Sequence, residues 1–307
     1  MIKVSNSNIK HLNLRLHKKD RQSRSQVKRF TRSRVGTFFF FTFIFLAGAF
    51  TVLPLIYSIC TSLKPLDELL IFPPRFFVQR PTLQNYRILP ELLSNLKVPI
   101  TRYAFNSLFV SVVGTLLNVF AASMGAFVLA KSNLKCKKIL FIIVQFSLLF
   151  SAYTLSIPRY IIYSGIGIIN TYWVYILPVI PSATSVFLLK QYIDGAIPDA
   201  LLESADIDGA SFFRTYWQIA LPMIKPAWLT VILFAFRDIW SMIPSGTIFN
   251  EELKTLPMIV SQITAGGIAR SGSAMAVAVI LMIPPVLVYL STQSNVMQTM
   301  NSAGIKG

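Results

Sequence analysis

From Val35 to Cys60 the chain runs 26 residues without one Asp, Glu, Lys or Arg, and the same holds for Tyr103–Ala130, Ile139–Ile157, Tyr172–Leu189 and Ala274–Leu290. A sixth apolar stretch, Met223–Ile243, carries only Lys225, Arg237 and Asp238. A transmembrane helix needs about 20 apolar residues, with a range of roughly 17–25. The pattern predicts six spans. With 54% hydrophobic and only 13% charged residues in 307, the chain is too apolar for a water-soluble domain of this size. The expected fold class is therefore an all-α integral membrane protein with six transmembrane helices.

Charge sets the orientation. Residues 1–34 hold eleven Lys and Arg, both histidines (His11, His17) and one acid, Asp20, and they read as a basic cytoplasmic tail that touches anionic lipid. Few aromatic residues accompany those cations, so no nucleic acid partner is expected. The loop Lys131–Lys138 carries four cations and no acid, which also puts it in the cytoplasm. Six spans return the C-terminus to that side, with the loop Lys190–Lys225. The proline-rich segment Thr61–Arg102 is then an extended, irregular outer cap, and Pro244–Ser273 is a second outer loop. The location implied is a cell membrane, multi-pass, with both termini cytoplasmic. Cys60 and Cys136 fall on opposite sides, which excludes a disulfide between them.

Five of the twelve acids, Asp194, Asp199, Glu203, Asp206 and Asp208, fall within fifteen residues of the basic side of the chain. Pro198 suits the first turn of a helix and Asp199 complements its positive end. Helical spacing then aligns Asp199, Glu203 and Asp206 on one face, where like charges repel by roughly 0.2–0.5 kcal/mol per pair. An isolated helix gains nothing from such a stripe; a basic partner surface explains it. Gly209 breaks the helix with a left-handed turn, and Ser211–Ile219 reads as a second short helix stopped at Pro222. The unit is a helical hairpin over 198–222.

Glu203-Ser204-Ala205, three residues, Gly209, nine residues, Ile219, one residue, then Leu221-Pro222 resembles the EAA motif of ABC-importer permeases, with Ser204 in place of alanine. Ser62–Tyr86, Asn170–Pro178 and the terminal Ala303–Gly307 extend the similarity towards the smaller permease subunit of maltose-type carbohydrate importers. The resemblance implies type I ABC-importer permease architecture over 35–307, with a C-terminal tail at 291–307. It implies a coupling helix in which Glu203, Ser204, Ala205, Asp206, Gly209, Ala210, Ile219, Leu221 and Pro222 meet an ATPase. The partners implied are a second permease subunit, two ATPase subunits, an extracytoplasmic solute-binding protein and a saccharide. ATP and Mg would belong to the ATPase subunits, since this chain has no GxxxxGK[ST] loop and is expected to be no enzyme.

Intramembrane polar residues offer a substrate pathway, because ionisable groups in lipid are costly. Arg237 and Asp238 are immediate neighbours about 100° apart on a helix, so each is expected to meet another helix or the pathway rather than its neighbour. Trp240 and Ser241 stand where the resembled family often has Trp and Asn. Asn106, Asn118 and Gln145 read as helix-packing residues, and Gly114, Ala121, Ala122 and Gly125 as close helix contacts. In Gly266–Gly272, the residues Gly266, Gly267 and Arg270 are candidates for meeting the binding protein. No metal-ligating or catalytic set exists. A secondary transporter, an ABC permease for a non-sugar solute and a pure scaffold stay open as alternatives.

Overall fold

The computed structural model describes residues 34–94, 98–151, 154–244 and 246–304 and is helical throughout, with no strand among them. The basic tail, apart from Arg34, and residues 305–307 lie outside the described residues. The chain divides between Pro54 and Leu55 into two compact units. Helix α1, Arg34–Ser62, runs across that division. Its phenylalanines, Phe38, Phe39, Phe41, Phe43, Phe45 and Phe50 among them, are exposed, as expected of side chains that face lipid.

After α1 come short helices α2 (Leu66–Leu69), α3 (Gln84–Arg87) and α4 (Leu89–Ser94), so the 61–102 segment is less irregular than its prolines imply. Side-chain hydrogen bonds tie it down. Glu68 accepts from the backbone N–H of Gln79 at 2.9 Å, and Asn85 donates to the carbonyls of Ser62 and Lys64 at 2.8 and 2.7 Å. Helix α5, Ile100–Lys131, is the axis of the second unit. Its first turns pack Tyr103 against Leu256, Ile259 and Val277. Its middle places Val110 beside Ile239 and Tyr175, and its last turns place Ala122, Ala126 and Phe127 against Leu189, Ile193, Tyr216 and Val231. Small residues allow that approach: a Cβ on Gly114 would lie 2.9 Å from Ile239 Cδ1. Gly125, expected to do the same, has no neighbour within 4 Å of a Cβ position.

The third and fourth apolar stretches are broken where continuous helices were expected. The third splits into α6 (Lys137–Ser147) and α7 (Ser156–Gly165). At the break Ser147 bonds back to the Val144 carbonyl, and a serine competing for backbone acceptors weakens a helix end. The fourth forms one turn, α8 (Trp173–Ile176), and resumes as α9 (Ala183–Ala196). Pro178 and Pro181 each remove an N–H and clash with the carbonyl four residues back. The freed groups are recovered locally. Asn118 of α5, wholly buried, donates to the Val179 carbonyl at 2.6 Å and accepts from the Ser185 hydroxyl at 2.9 Å, while Ser182 caps α9. Such repair permits a break in an apolar setting.

Beyond the break, α10 (Asp199–Ile207), α11 (Phe212–Thr215), a π-helical turn Tyr216–Ala220 and α12 (Leu221–Met223) lead into α13 (Lys225–Trp240). The last two α-helices are α14 (Leu256–Thr264) and α15 (Ser271–Gly304), each preceded by a short 3-10 turn, Glu251–Leu253 and Ile268–Arg270. The stretch from Pro244 to Ser273 therefore contains a packed helix, α14, rather than being loop throughout. Helix α15 also runs fourteen residues past Leu290, the expected end of the sixth span. Among the described residues, three helical stretches are long and apolar enough to cross a membrane alone: Val35–Ser62, Ile100–Lys131 and Ile268–Gln293. Phe212–Met223 with Lys225–Trp240, bent by 80°, would make a fourth.

Candidate functional site

The hairpin is built from local rules. Pro198 precedes α10 with φ −65°, the value its ring imposes, and Asp199 is the first helical residue. Leu202 and Ala205 turn inward, with Ala205 buried and Leu202 packed beside the cluster of Phe127 and Ile193. At the far end the Ala210 N–H reaches the Ala205 carbonyl at 2.9 Å and the Gly209 N–H reaches the Asp206 carbonyl at 3.0 Å. That pair of bonds is a Schellman motif, and it needs a left-handed residue. Gly209 supplies it with φ 75°. A Cβ at Gly209 would touch nothing within 4 Å, so glycine is required there for conformation, not for space.

Ser211 then caps the second arm by accepting from the Arg214 N–H at 3.3 Å. This arm does not stop at Pro222 as expected. A proline cannot donate to the carbonyl four residues back, and the preceding turn widens into the π form and carries the chain to Met223. The bend comes at Ile224, before α13. Within the widened turn and just after it, Ile219 and Leu221 are half-buried or nearly so, and Pro222 is exposed.

The exposed side of the hairpin bears Glu203, Ser204, Asp206, Asp208 and Gly209, with Ile207 at 86% exposure between two aspartates. Ser204 bonds back to the Leu201 carbonyl at 2.8 Å. The acids are not equivalent. Asp194 pairs with Lys190 and Asp199 with Lys131, each at 2.6 Å. The hydrogen bond and charge of Lys131 hold the Asp199 carboxyl below its ordinary range. Glu203, Asp206 and Asp208 form no ion pair among the described residues. Ile207 was missed in the sequence, although an isoleucine between two aspartates was the available signal.

The four pathway candidates do not converge. Arg237 and Asp238 pair with each other at 3.0 Å and are 66% and 61% exposed, contrary to the expectation that adjacent positions could not meet. The long arginine side chain wraps around the helix and closes the 100° gap. Trp240 is buried, stacked on Phe236 at 5.6 Å, and donates its indole N–H to the Leu281 carbonyl at 2.9 Å. Ser241 bonds back to the Arg237 carbonyl at 2.9 Å and closes the end of α13. Gly266, Gly267 and Arg270 sit together on an exposed turn after α14, with Gly267 at φ 81° and the Arg270 side chain folded over Gly266.

Asn106, read as a packing residue, holds the 250–255 segment instead. It is wholly buried, donates to the carbonyls of Glu252 and Lys254 at 2.7 and 2.8 Å, and accepts from the Tyr172 hydroxyl at 2.8 Å.

Comparison with known proteins places this geometry in a family. Residues 117–301, which include the whole hairpin, match the family described as binding-protein-dependent transport system inner membrane component. Protein LplC of Bacillus subtilis (strain 168) is 32% identical over 284 residues, covering 85% of this chain and 91% of LplC. The polygalacturonan/rhamnogalacturonan transport system permease protein YtcP of the same organism is 27% identical, covering 90% of this chain and 100% of YtcP. A chain from the crystal structure of a bacterial ABC transporter involved in the import of the acidic polysaccharide alginate has the same fold, with a TM-score of 0.69 over 86% of this chain and 98% of that chain at 21% identity. Family membership removes the secondary-transporter and scaffold alternatives. This chain belongs to the binding-protein-dependent transport system inner membrane components, the permeases of ABC transporters.

Proposed function

We propose that the chain forms half of the translocation pathway of an ABC importer for a saccharide, and that the 198–222 hairpin is its coupling element. The observation that carries the coupling reading is the unpartnered surface of the hairpin. Its backbone turn is closed through Gly209, while Glu203, Asp206 and Asp208 form no ion pair among the described residues, with the exposed Ile207 between the two aspartates. A partner with a basic rim and an apolar pocket would satisfy all four, as a helix laid into a groove does. In the proposed assembly that partner is one of two ATPase subunits, which hold ATP and Mg. A second permease subunit completes the pathway, and an extracytoplasmic binding protein delivers the solute.

On this reading the broken stretches at 139–157 and 172–189 each count as a crossing, giving six with both termini cytoplasmic. Closure of the ATPase pair on ATP moves the hairpins and turns the pathway outward. The ATPase can drive that change only by contacting the two states differently. The exposed Arg237–Asp238 pair is available to a second permease across the pathway, and the Gly266–Arg270 turn to the binding protein. The polysaccharides for which YtcP and the alginate transporter are named support a saccharide as solute.

The test is ATPase activity of the complex purified with its co-encoded subunits, in the presence of binding protein loaded with a panel of saccharides. Stimulation by one saccharide class is expected. Stimulation by an amino acid or inorganic ion, with none by any saccharide, would replace the solute assignment.

A further inference from the structure

Lys131 is the last residue of α5, and its side chain is 8% exposed while that of its partner Asp199 is 79% exposed. Its ammonium donates to the Ile197 carbonyl at 2.8 Å and to Asp199 Oδ1 at 2.6 Å. Those two acceptors flank Pro198, where the chain turns from α9 into α10. One cation therefore fixes the angle at which the first arm of the hairpin leaves the body. A solvated surface ion pair is worth little, but this lysine is buried and makes a second bond to backbone, so its geometry is held.

The same end of α5 grips the second arm by other means. The Ser123 and Tyr216 hydroxyls are 2.7 Å apart, and the Phe127 ring lies 4.8 Å from that of Phe212 and 5.6 Å from that of Tyr216. The first arm packs there more lightly, through Leu202 beside the Phe127 cluster. From Asp199 to Ile207 only Ala205 is fully buried. We propose that Lys131 is a positioning residue which locks the first arm of the hairpin to α5, so that displacement of the hairpin is delivered to the long axial helix rather than absorbed at Pro198. The inference rests on the coupling reading above.

The experiment uses the whole transporter, assembled with its co-encoded subunits in proteoliposomes, and reads solute moved per ATP hydrolysed. Lys131→Gln, Lys131→Arg and Asp199→Asn are compared with wild type, with co-purification of the ATPase subunits measured alongside. Lys131→Gln is expected to retain the ATPase subunits and to lower the transport ratio about ten-fold, a normal size for a coupling between sites. Lys131→Arg, which keeps the cation, is expected to stay within about two-fold of wild type. Asp199→Asn leaves the bond to Ile197 and falls between them, so it reports on the lock even where Lys131→Gln fails to fold. An unchanged ratio in Asp199→Asn together with either an unchanged ratio in Lys131→Gln or equal loss in Lys131→Gln and Lys131→Arg overturns the proposal. If the ATPase subunits do not co-purify with wild type, the coupling reading itself falls and the lock with it.

Discussion

Two polar stretches between apolar runs, 198–222 and 244–256, look alike in the sequence and behave oppositely in the structure. In the second, most polar groups bond to other parts of the protein, although the exposed Glu252 carboxylate forms no ion pair among the described residues. Asn106 takes two carbonyls, Glu251 meets Tyr103 and Lys254, Asn170 accepts from the N–H groups of Phe249 and Asn250, and Ser107 accepts from Leu256. In the hairpin, the turn is closed within the segment, and Glu203, Asp206 and Asp208 form no ion pair among the described residues. A polar segment whose groups mostly bond to other elements of its own protein is a structural tie. On the proposed reading, a folded segment that presents an exposed Ile207 between acids with no ion pair among the described residues serves a partner.

The largest effect should come from the structural member of the pair. Asn106→Leu removes the amide donor of the Lys254 carbonyl, one of two donors to the Glu252 carbonyl, and the acceptor of the Tyr172 hydroxyl, and a buried polar group left without its partner costs about 1–3 kcal/mol. A destabilisation of about 3 kcal/mol is expected in thermal unfolding of the detergent-solubilised protein. A loss below about 0.5 kcal/mol, the level of ordinary surface substitutions, would mean that the clamp is not a structural tie.

Gly114→Val comes next. Its added bulk meets Ile239 Cδ1, the movable end of a side chain, so overpacking should cost about 1–3 kcal/mol by the same measurement. Gly125→Val, with open space around it, should cost less; equal losses would remove Gly114 as the close contact.

In the hairpin the balance reverses. Gly209→Ala forces a side chain into the left-handed region and should cost about 1–2 kcal/mol, yet it should reduce transport far more than it reduces the melting temperature. A loss of transport that merely tracks stability would make the hairpin as structural as the 244–256 segment.

The smallest effect is that of acid on Asp199. Its folded pKa lies below the ordinary 3.8, so ionisation favours the folded hairpin above that value and the contribution is lost as pH falls through the lower folded value. Carboxyl NMR should find the titration midpoint of Asp199 below 3.8. Titration of Asp199 at or above 3.8 would show that the Lys131 contact is absent in solution.

What could be read from the sequence was local. Pro198 with Asp199 marks a helix start and Gly209 a left-handed stop, because capping acts within a few residues, and both are found where expected. The breaks at Pro178 and Pro181 were overlooked because apolar composition alone suggested a span, and the asparagine that makes the break tolerable lies 61 residues away. Lys131 was counted as one more basic loop residue, its partner 68 residues distant. The Arg237–Asp238 pair was misjudged from backbone angle alone, without allowing for the reach of an arginine.

The most direct test of the hairpin as coupling element is binding-protein-stimulated ATPase activity and uptake in the assembled transporter carrying Glu203→Lys with Asp206→Lys. The expected result is a stable, folded permease that has lost stimulation and uptake, because the exposed acidic face no longer complements its ATPase. Wild-type stimulation and uptake in that variant would contradict it.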